Sequence, residues 1–565
     1  MYDCIVIGSG VAGLYTALLA QRHGRVLLLT KAQLGDSNTS NAQGGIAAAV
    51  GDDDWPALHW RDTLEAGAGL SDPAADWVLA SEGPARIADL VSLGVPLDRE
   101  GGHLALAREG AHSRARVLHA GGDATGAQVQ ATLGRLVSES RSITISEHSL
   151  VTDLVLEGGA VRGVAAVDSR SGQEVRYAGR AVVLATGGAG QLYAQTTNPA
   201  VATGTGLALA YRAGADLADL EFFQFHPTAL LLNGAPRFLI SEAARGAGAV
   251  LRDGEGRRFA FDYDPRGELA PRHVVAGAIL TEMTRQNAAC VYLDLTSLPE
   301  AEIRQRFPTI AGFCDSYDLD ITRRPISVAP AAHYIMGGVR TNLWGETDLP
   351  GLFACGEVAC TGVHDANRLA SNSLLEALVF GARIVRRLLA GSGDPDRGAA
   401  DASGPMPQHE QARIVEDCRV GPPAAMDSSR RGDQQAQAGD EHRPPVVLMR
   451  DVQELMWASA GMVRSRESLE TARLQLEQWT RWLDSPSGAG DHELRALLLV
   501  ARLVTTAAIV REESRGGHRR TDYPNEDDAW LRRVVFRAGT ASPERQEQER
   551  SIAPRSRSLE RDVPN

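Results

Sequence analysis

The stretch YDCIVIGSGVAG, residues 2–13, decides the fold. Residues 2 to 7 form a short apolar run, the signature of a strand buried on both faces in a parallel sheet. Gly8, Ser9, Gly10, Val11, Ala12 and Gly13 then match G-x-G-x-x-G. In that pattern the first glycine permits a tight turn and the second lets backbone approach a pyrophosphate. The third lets strand and helix pack closely. LYTALLAQRHG follows with helical spacing, and RVLLLT reads as the next strand. The unit is βαβ, with the free N–H groups of the helix start offered to phosphates.

Working outward, an acid that grips a ribose is expected about twenty residues on. Leu29-Thr30-Lys31 stands there instead, and Lys31 is the chain's one lysine among 58 Lys and Arg residues. An ammonium donates to ribose or phosphate oxygens as a point charge. The motif therefore says dinucleotide and leaves its identity open. RAVVLATGGAG (180–190) and GLFACGEVACTG (351–362) are two further strand-to-glycine turns, and the helical pattern SNSLLEALVFGARIVRRLLA follows the second. Three such turns far apart in the chain predict one nucleotide site assembled from distant segments.

The fold class predicted is α/β. A Rossmann-like nucleotide domain spans 1–226 and 336–390, with an inserted α+β capping domain at 227–335. Residues 391–445 are rich in Gly, Pro, Ser, Asp and Gln and read as a flexible linker. Three helical patterns in 446–530 predict a helical bundle, and the charged 531–565 tail reads as disordered. The net charge of −13 argues against nucleic acid or an anionic membrane as partner. Six cysteines without CxxC spacing offer neither a zinc site nor a dithiol motif, and no metal is predicted. The start of the chain has no signal-peptide pattern, and arginines interrupt the apolar run LRALLLVARLVTTAAIV. A soluble cytoplasmic protein is expected.

Seven segments extend the reading: SNTSNAQGGIA (37–47), FHPTAL (225–230), LISEAARGAG (239–248), GELAPRHVV (267–275), APAAHYIMGGV (329–339), GEVACTGVHDANRLASNSLLEALVFG (356–381) and ESRGGHRRTDYP (513–524). In this order they resemble the flavoprotein family of succinate dehydrogenase, fumarate reductase and L-aspartate oxidase. The resemblance covers about 1–390 and the helical region to about 525. It implies FAD rather than NAD. The cofactor contacts it implies are the first glycine motif, Lys31, the run Asn38, Thr39, Ser40, Asn41, Ala42, Gln43, Gly44 and Gly45, then Thr205, Glu357, Ser373 and Leu374. A carboxylate such as Glu357 is suited to ribityl or ribose hydroxyls.

Two positions discriminate within the family. Dehydrogenases carry a histidine in an SHT triplet, where FAD is attached covalently. Here the triplet is Ser37-Asn38-Thr39, and an amide is no such nucleophile, so noncovalent FAD is expected. The second is Glu109, in REGAHS, where the resemblance points to the oxidases of L-aspartate. Aspartate differs from succinate by one ammonium, which a buried carboxylate would pair with. The resemblance makes His226, Ser241, His333, Arg368 and Ser371 the dicarboxylate site, with Arg368 suited to bidentate binding. It makes Arg272 the proton donor or acceptor. Arginine needs burial and neighbouring charge for such a role, and Glu242 and Arg245 are placed to relay protons to it or, for Arg245, to orient substrate.

The implied reaction moves a hydride from Cα of L-aspartate to FAD, giving iminoaspartate, with oxygen (yielding hydrogen peroxide) or fumarate as final acceptor. Iminoaspartate feeds quinolinate synthase, the implied metabolic partner, in NAD biosynthesis. The alternative is a soluble fumarate reductase or a succinate dehydrogenase flavoprotein subunit. Three departures from the family pattern bear on FAD affinity and turnover: Thr205 for the acid of TGDG, Ala247 for the acid of RGEG, and His273 for the acid of APRD. His273 is expected to depress the proton affinity of its neighbour Arg272.

Overall fold

The strand that opens the chain sits at the centre of a seven-stranded sheet. The computed structural model describes residues 1–391, 416–420, 448–483 and 488–537. Its main sheet contains β1 (Tyr2–Ile7), β2 (Val26–Leu29), β3 (Ile143–Ser146), β4 (Ser149–Glu157), β5 (Ala160–Asp168) and β6 (Glu174–Leu184). Their order is β3-β2-β1-β6-β5-β4, and the short strand Leu352–Ala354 also pairs with β6. β1, β2 and β3 run parallel to one another and to the end of β6, with Cys4 opposite both Ala181 and Val26. Ile5 and Val6 are fully buried on opposite faces, as a central parallel strand requires.

The glycines of the first turn are sterically necessary. Gly8 has φ +110°, and a Cβ there would lie 2.1 Å from the carbonyl oxygen of Ala185. A Cβ on Gly13 would lie 1.9 Å from the carbonyl oxygen of Gly8, so the helix α1 (Val11–Ala20) packs on its own turn only with glycine there.

A second layer carries the other half of the site. α2 (Thr205–Ala213) precedes an antiparallel sheet of β7 (Phe223–Leu230), β8 (Val250–Arg252), β9 (Val291–Asp294) and β10 (Ile326–Ile335), in the order β7-β10-β9-β8. α3 (Glu242–Gly246) and α4 (Arg272–Gln286) belong to it, and Leu230, Ile240, Phe259, Ile279 and Leu293 form its separate core. The sheet begins at Phe223, ahead of the boundary read at 227. α5 (Asn372–Ala390) then returns to the first sheet and packs against α1. α6 (Met449–Ala460), α7 (Arg466–Trp482) and α8 (Ala489–Val510) pack on one another, and α8 leans on α2.

Two expectations need correction. The 391–445 linker contains a strand, β11 (Glu416–Val420), and the 531–565 tail contains another, β12 (Arg532–Phe536). They pair in parallel, and β12 also pairs with Leu217–Ala218, in a sheet completed by Gly338–Arg340 and Ala359–Cys360. Val534, Val535 and Phe536 are buried. The remainder of the linker and tail lies outside the described residues. The physical reason for the miss is that both strands find their partners far away in sequence. Among the described residues, no helix is long and apolar enough to cross a membrane.

Arg533 of β12 reaches between two buried acids, with Nη1 2.5 Å from both Asp219 and Asp365. Asp365 belongs to the loop that carries Arg368. Removing the guanidinium leaves two buried carboxylates without their cation. Arg533→Met is therefore expected to cost roughly 3–5 kcal/mol of stability, read as a lower urea midpoint at unchanged slope; an unshifted midpoint contradicts the role.

Candidate active site

The first glycine turn opens onto a cleft of about 1670 Å³, counted to its open mouth. Gly8 to Ala12, Lys31, Asn38, Thr39, Asn41 to Gly45, Thr205, Glu357, Ser373 and Leu374 all lie on its wall. Gly13 does not, since its part is the helix contact already described. Ser40 is also off the wall and donates to the carbonyl of Gly35 at 2.5 Å.

Asn38 is an amide on the cleft wall, held by polar neighbours. Its Nδ2 donates to Asn198 Oδ1 at 2.8 Å and to Glu357 Oε2 at 3.0 Å, while Asn198 donates to the carbonyl of His333 at 2.9 Å. Burial pushes the Glu357 carboxyl up to about 7, against the Ile335 amide and Asn38, which both pull it down. Thr39 Oγ1 accepts from the Val11 amide at the start of α1. The 37–45 stretch is thus tied to the glycine turn and to the third strand-to-glycine turn.

The same cleft takes in His226, Ser241, Glu242, Arg272, His333, Arg368 and Ser371. His226 comes from the middle of β7, His333 from β10, Arg272 from the first turn of α4 and Ser371 from the N-cap of α5. Ser371, on the cleft wall, has φ +65°, an unusual conformation for a side-chain-bearing residue. The His226 and His333 rings pack edge to face, 5.2 Å between centroids. Burial holds both imidazoles well below their usual range, helped at His226 first by Arg272 and at His333 first by Arg368. Both are neutral at pH 7. Burial likewise lowers Arg368 to about 10.

The arginines are held by a residue the sequence reading missed. Gln224 Oε1 accepts from Arg272 Nη1 at 3.0 Å and from Arg368 Nη1 at 2.8 Å, so one amide oxygen sets the spacing of two guanidinium groups. Gln224 Nε2 donates to the carbonyl of Arg368 at 3.0 Å. A signal existed: Gln224 lies two residues before His226, on the same strand face. Arg272 Nε donates to Glu242 Oε2 at 2.6 Å, and Arg368 lies over the Tyr334 ring, 4.4 Å from its centroid. His226 Nε2 and Arg368 Nε are buried with no hydrogen-bond partner. Buried donors left open on the wall of a cleft call for an anionic ligand.

Two expected site residues stand behind the wall. Arg245 is fully buried, 3.6 Å from Glu242, and donates to the carbonyl of Glu268. It reaches the cleft through Glu242, and its Nε and Nη2 are buried with no hydrogen-bond partner. Glu109 accepts from the Ser371 hydroxyl at 2.7 Å, and its other oxygen lies 3.7 Å from His119 Nε2. Burial raises the Glu109 carboxyl, but His119 and the Ser371 hydroxyl outweigh it and hold it at about 2. The acid is charged, with Ser371 between it and the cleft. His273 also departs from expectation: burial lowers it, and the charges that reach it are Arg266 and Asp264, not Arg272.

Residues 3–374 match the FAD binding domain family, and 489–558 match the fumarate reductase flavoprotein C-terminal family. L-aspartate oxidase of Nostoc sp. is 46% identical, over 94% of this chain and 92% of its own. The chain belongs to the L-aspartate oxidase family. The Synechocystis sp. enzyme of that name is 43% identical, over 95% of this chain and 97% of its own. Escherichia coli quinol fumarate reductase has the same architecture at 29% identity, with a TM-score of 0.79 and 94% of each chain covered. The larger family is thus that of the succinate dehydrogenase and fumarate reductase flavoproteins, and FAD is the cofactor. The cleft fits it: the glycine turn admits backbone only, and Glu357 offers a buried carboxyl to hydroxyl groups.

Gln224→Leu is expected to lower kcat/KM roughly 10–100-fold, since hydrogen bonds to two charged groups are lost. FAD content should be unchanged. Steady-state kinetics with flavin absorbance checks this, and wild-type kcat/KM would remove Gln224 from the site.

Proposed function

We propose that the chain oxidises L-aspartate to iminoaspartate at this cleft and passes the electrons to oxygen or fumarate. The observation that carries the substrate assignment is the pair of open buried donors, His226 Nε2 and Arg368 Nε, beside Arg272. Two guanidinium groups and neutral imidazoles suit a dicarboxylate, and Arg368, its Nη1 held by Gln224, suits one carboxylate side-on through its open Nε edge. Ser241 closes the pocket, its amide fixed by Gln43 at 3.2 Å.

Glu109 and Ser371 supply the preference for an amino acid. The Ser371 hydroxyl donates its hydrogen bond to Glu109, which leaves the lone pairs of the serine oxygen free to accept from a ligand. An ammonium is received by that oxygen and by the fixed negative charge behind it, and succinate offers nothing there. Bound FAD supplies the acceptor for the electron pair that leaves Cα. Arg272 holds substrate and takes part in proton transfer, and the pairs Arg272–Glu242 and Glu242–Arg245 form the path by which a proton leaves the site. Asn38 in place of histidine makes the FAD noncovalent. The product is consumed by quinolinate synthase in NAD biosynthesis, and the enzyme is cytoplasmic. The fumarate reductase alternative is less favoured, because the curated relatives at 39–46% identity carry the name L-aspartate oxidase.

One anaerobic titration tests the reading. L-aspartate is expected to bleach the flavin of the wild-type holoprotein, and acid precipitation to release FAD into solution. Glu109→Gln is expected to slow that bleaching by at least about tenfold, the worth of one buried charge pairing. Flavin left yellow by aspartate, or bleached equally fast in the variant, would sink the assignment.

A further inference from the structure

Lys31 makes contacts that the cofactor motif does not require. Its Nζ donates to Thr203 Oγ1 at 2.7 Å and to Glu493 Oε1 at 2.5 Å, and Thr203 Oγ1 donates to the same carboxylate oxygen at 3.3 Å. Glu493 is 462 residues away, in the second turn of α8. The three groups close a triangle of which Lys31 lies on the wall of the cofactor cleft. Thr203 stands just ahead of α2, whose first residue, Thr205, is on the same wall.

α8 also backs that wall. A second, small cavity lies between Leu150 to Thr152 of β4, Thr205 and Leu209 of α2, and His492 and Ala496 of α8. Val500 sits 3.3 Å from where a Cβ on Gly204 would stand. The bundle is therefore seated on the segment that borders the cofactor, and the Lys31–Glu493 pair is a polar tie across that seam.

We propose that Glu493 is a positioning residue for the cofactor: it holds the Lys31 ammonium at the cleft wall and so makes FAD binding and the seating of α8 one coupled event. A lysine ammonium has three N–H donors. Two are committed to Thr203 and Glu493, and the third remains for an oxygen of FAD. Burial opposes a charged Lys31, and Glu493 is the charge that offsets it; Asp36 is the other acid on the cleft wall near this stretch. The inference rests on FAD as cofactor and not on the choice of amino-acid substrate.

The test is FAD affinity of the apoprotein, read by flavin fluorescence, in a double-mutant cycle of Lys31→Met and Glu493→Gln. Glu493→Gln is expected to raise Kd about tenfold in the wild-type background and by less than about twofold when Lys31 is already Met, since the residue acts through the lysine. An additive cycle, an unchanged Kd, or a Kd that falls because Glu493 competes with FAD for Lys31 overturns the proposal. Hydrogen exchange on the wild-type chain gives a reading that needs no variant. Amides of residues 489–497 should exchange at least about fivefold more slowly once FAD is bound; identical exchange with and without FAD contradicts the coupling. Neither measurement contains aspartate, so failure here leaves the substrate assignment standing.

Discussion

Two guanidinium groups share one amide oxygen in this protein. Arg272 and Arg368 both donate to Gln224 Oε1, from opposite segments of the chain, and everything else in the site is arranged around that arrangement. Like charges held close are costly in a buried place, and the cost falls when an anion binds between them. Glu242 takes up part of the charge of Arg272, at 2.6 Å. What is left open, Arg368 Nε and His226 Nε2, is the part that a substrate completes.

The fold supplies these groups from elements that do not neighbour one another in sequence. β7 and β10 pair antiparallel and bring Gln224, His226 and His333 together. α4 delivers Arg272 from its first turn, and the loop before α5 delivers Arg368 and Ser371. That loop is secured from behind by Arg533 of β12, through Asp365. A second buried arginine, Arg116, fixes the segment that carries Glu109: it contacts Asp54 and Asp62, and Asp62 accepts from the amide and hydroxyl of Ser113. The polar groups of the site thus rest on buried ion pairs rather than on loops alone, which is the condition for a preorganised binding site.

Much of this was legible in the sequence, and the limits are instructive. The βαβ unit and the glycine turn follow from local pattern, because each is one continuous segment at the start of the chain, whereas the noncovalent reading of Asn38 rests on the family resemblance alone. The strands 416–420 and 532–536 escaped, since what makes RRVVF a strand is the distant edge offered by Leu217–Ala218. The sequence makes Glu109 a direct partner of the substrate ammonium. The left-handed backbone of Ser371 puts that hydroxyl in front of it, and no pattern of residue types foretells a positive φ on serine. Lys31 borders the cleft, and its partner in α8, 462 residues away, lies beyond any local pattern.

Paired guanidinium groups make the cleft a site for two carboxylates. The direct measurement is the Kd of succinate against butyrate for the oxidised holoprotein, from the perturbation of the flavin spectrum. The two ligands share length and differ by one carboxylate. Succinate is predicted to bind at least about 100-fold more tightly, as one charge-assisted bidentate contact implies; equal affinities would contradict the two-arginine site.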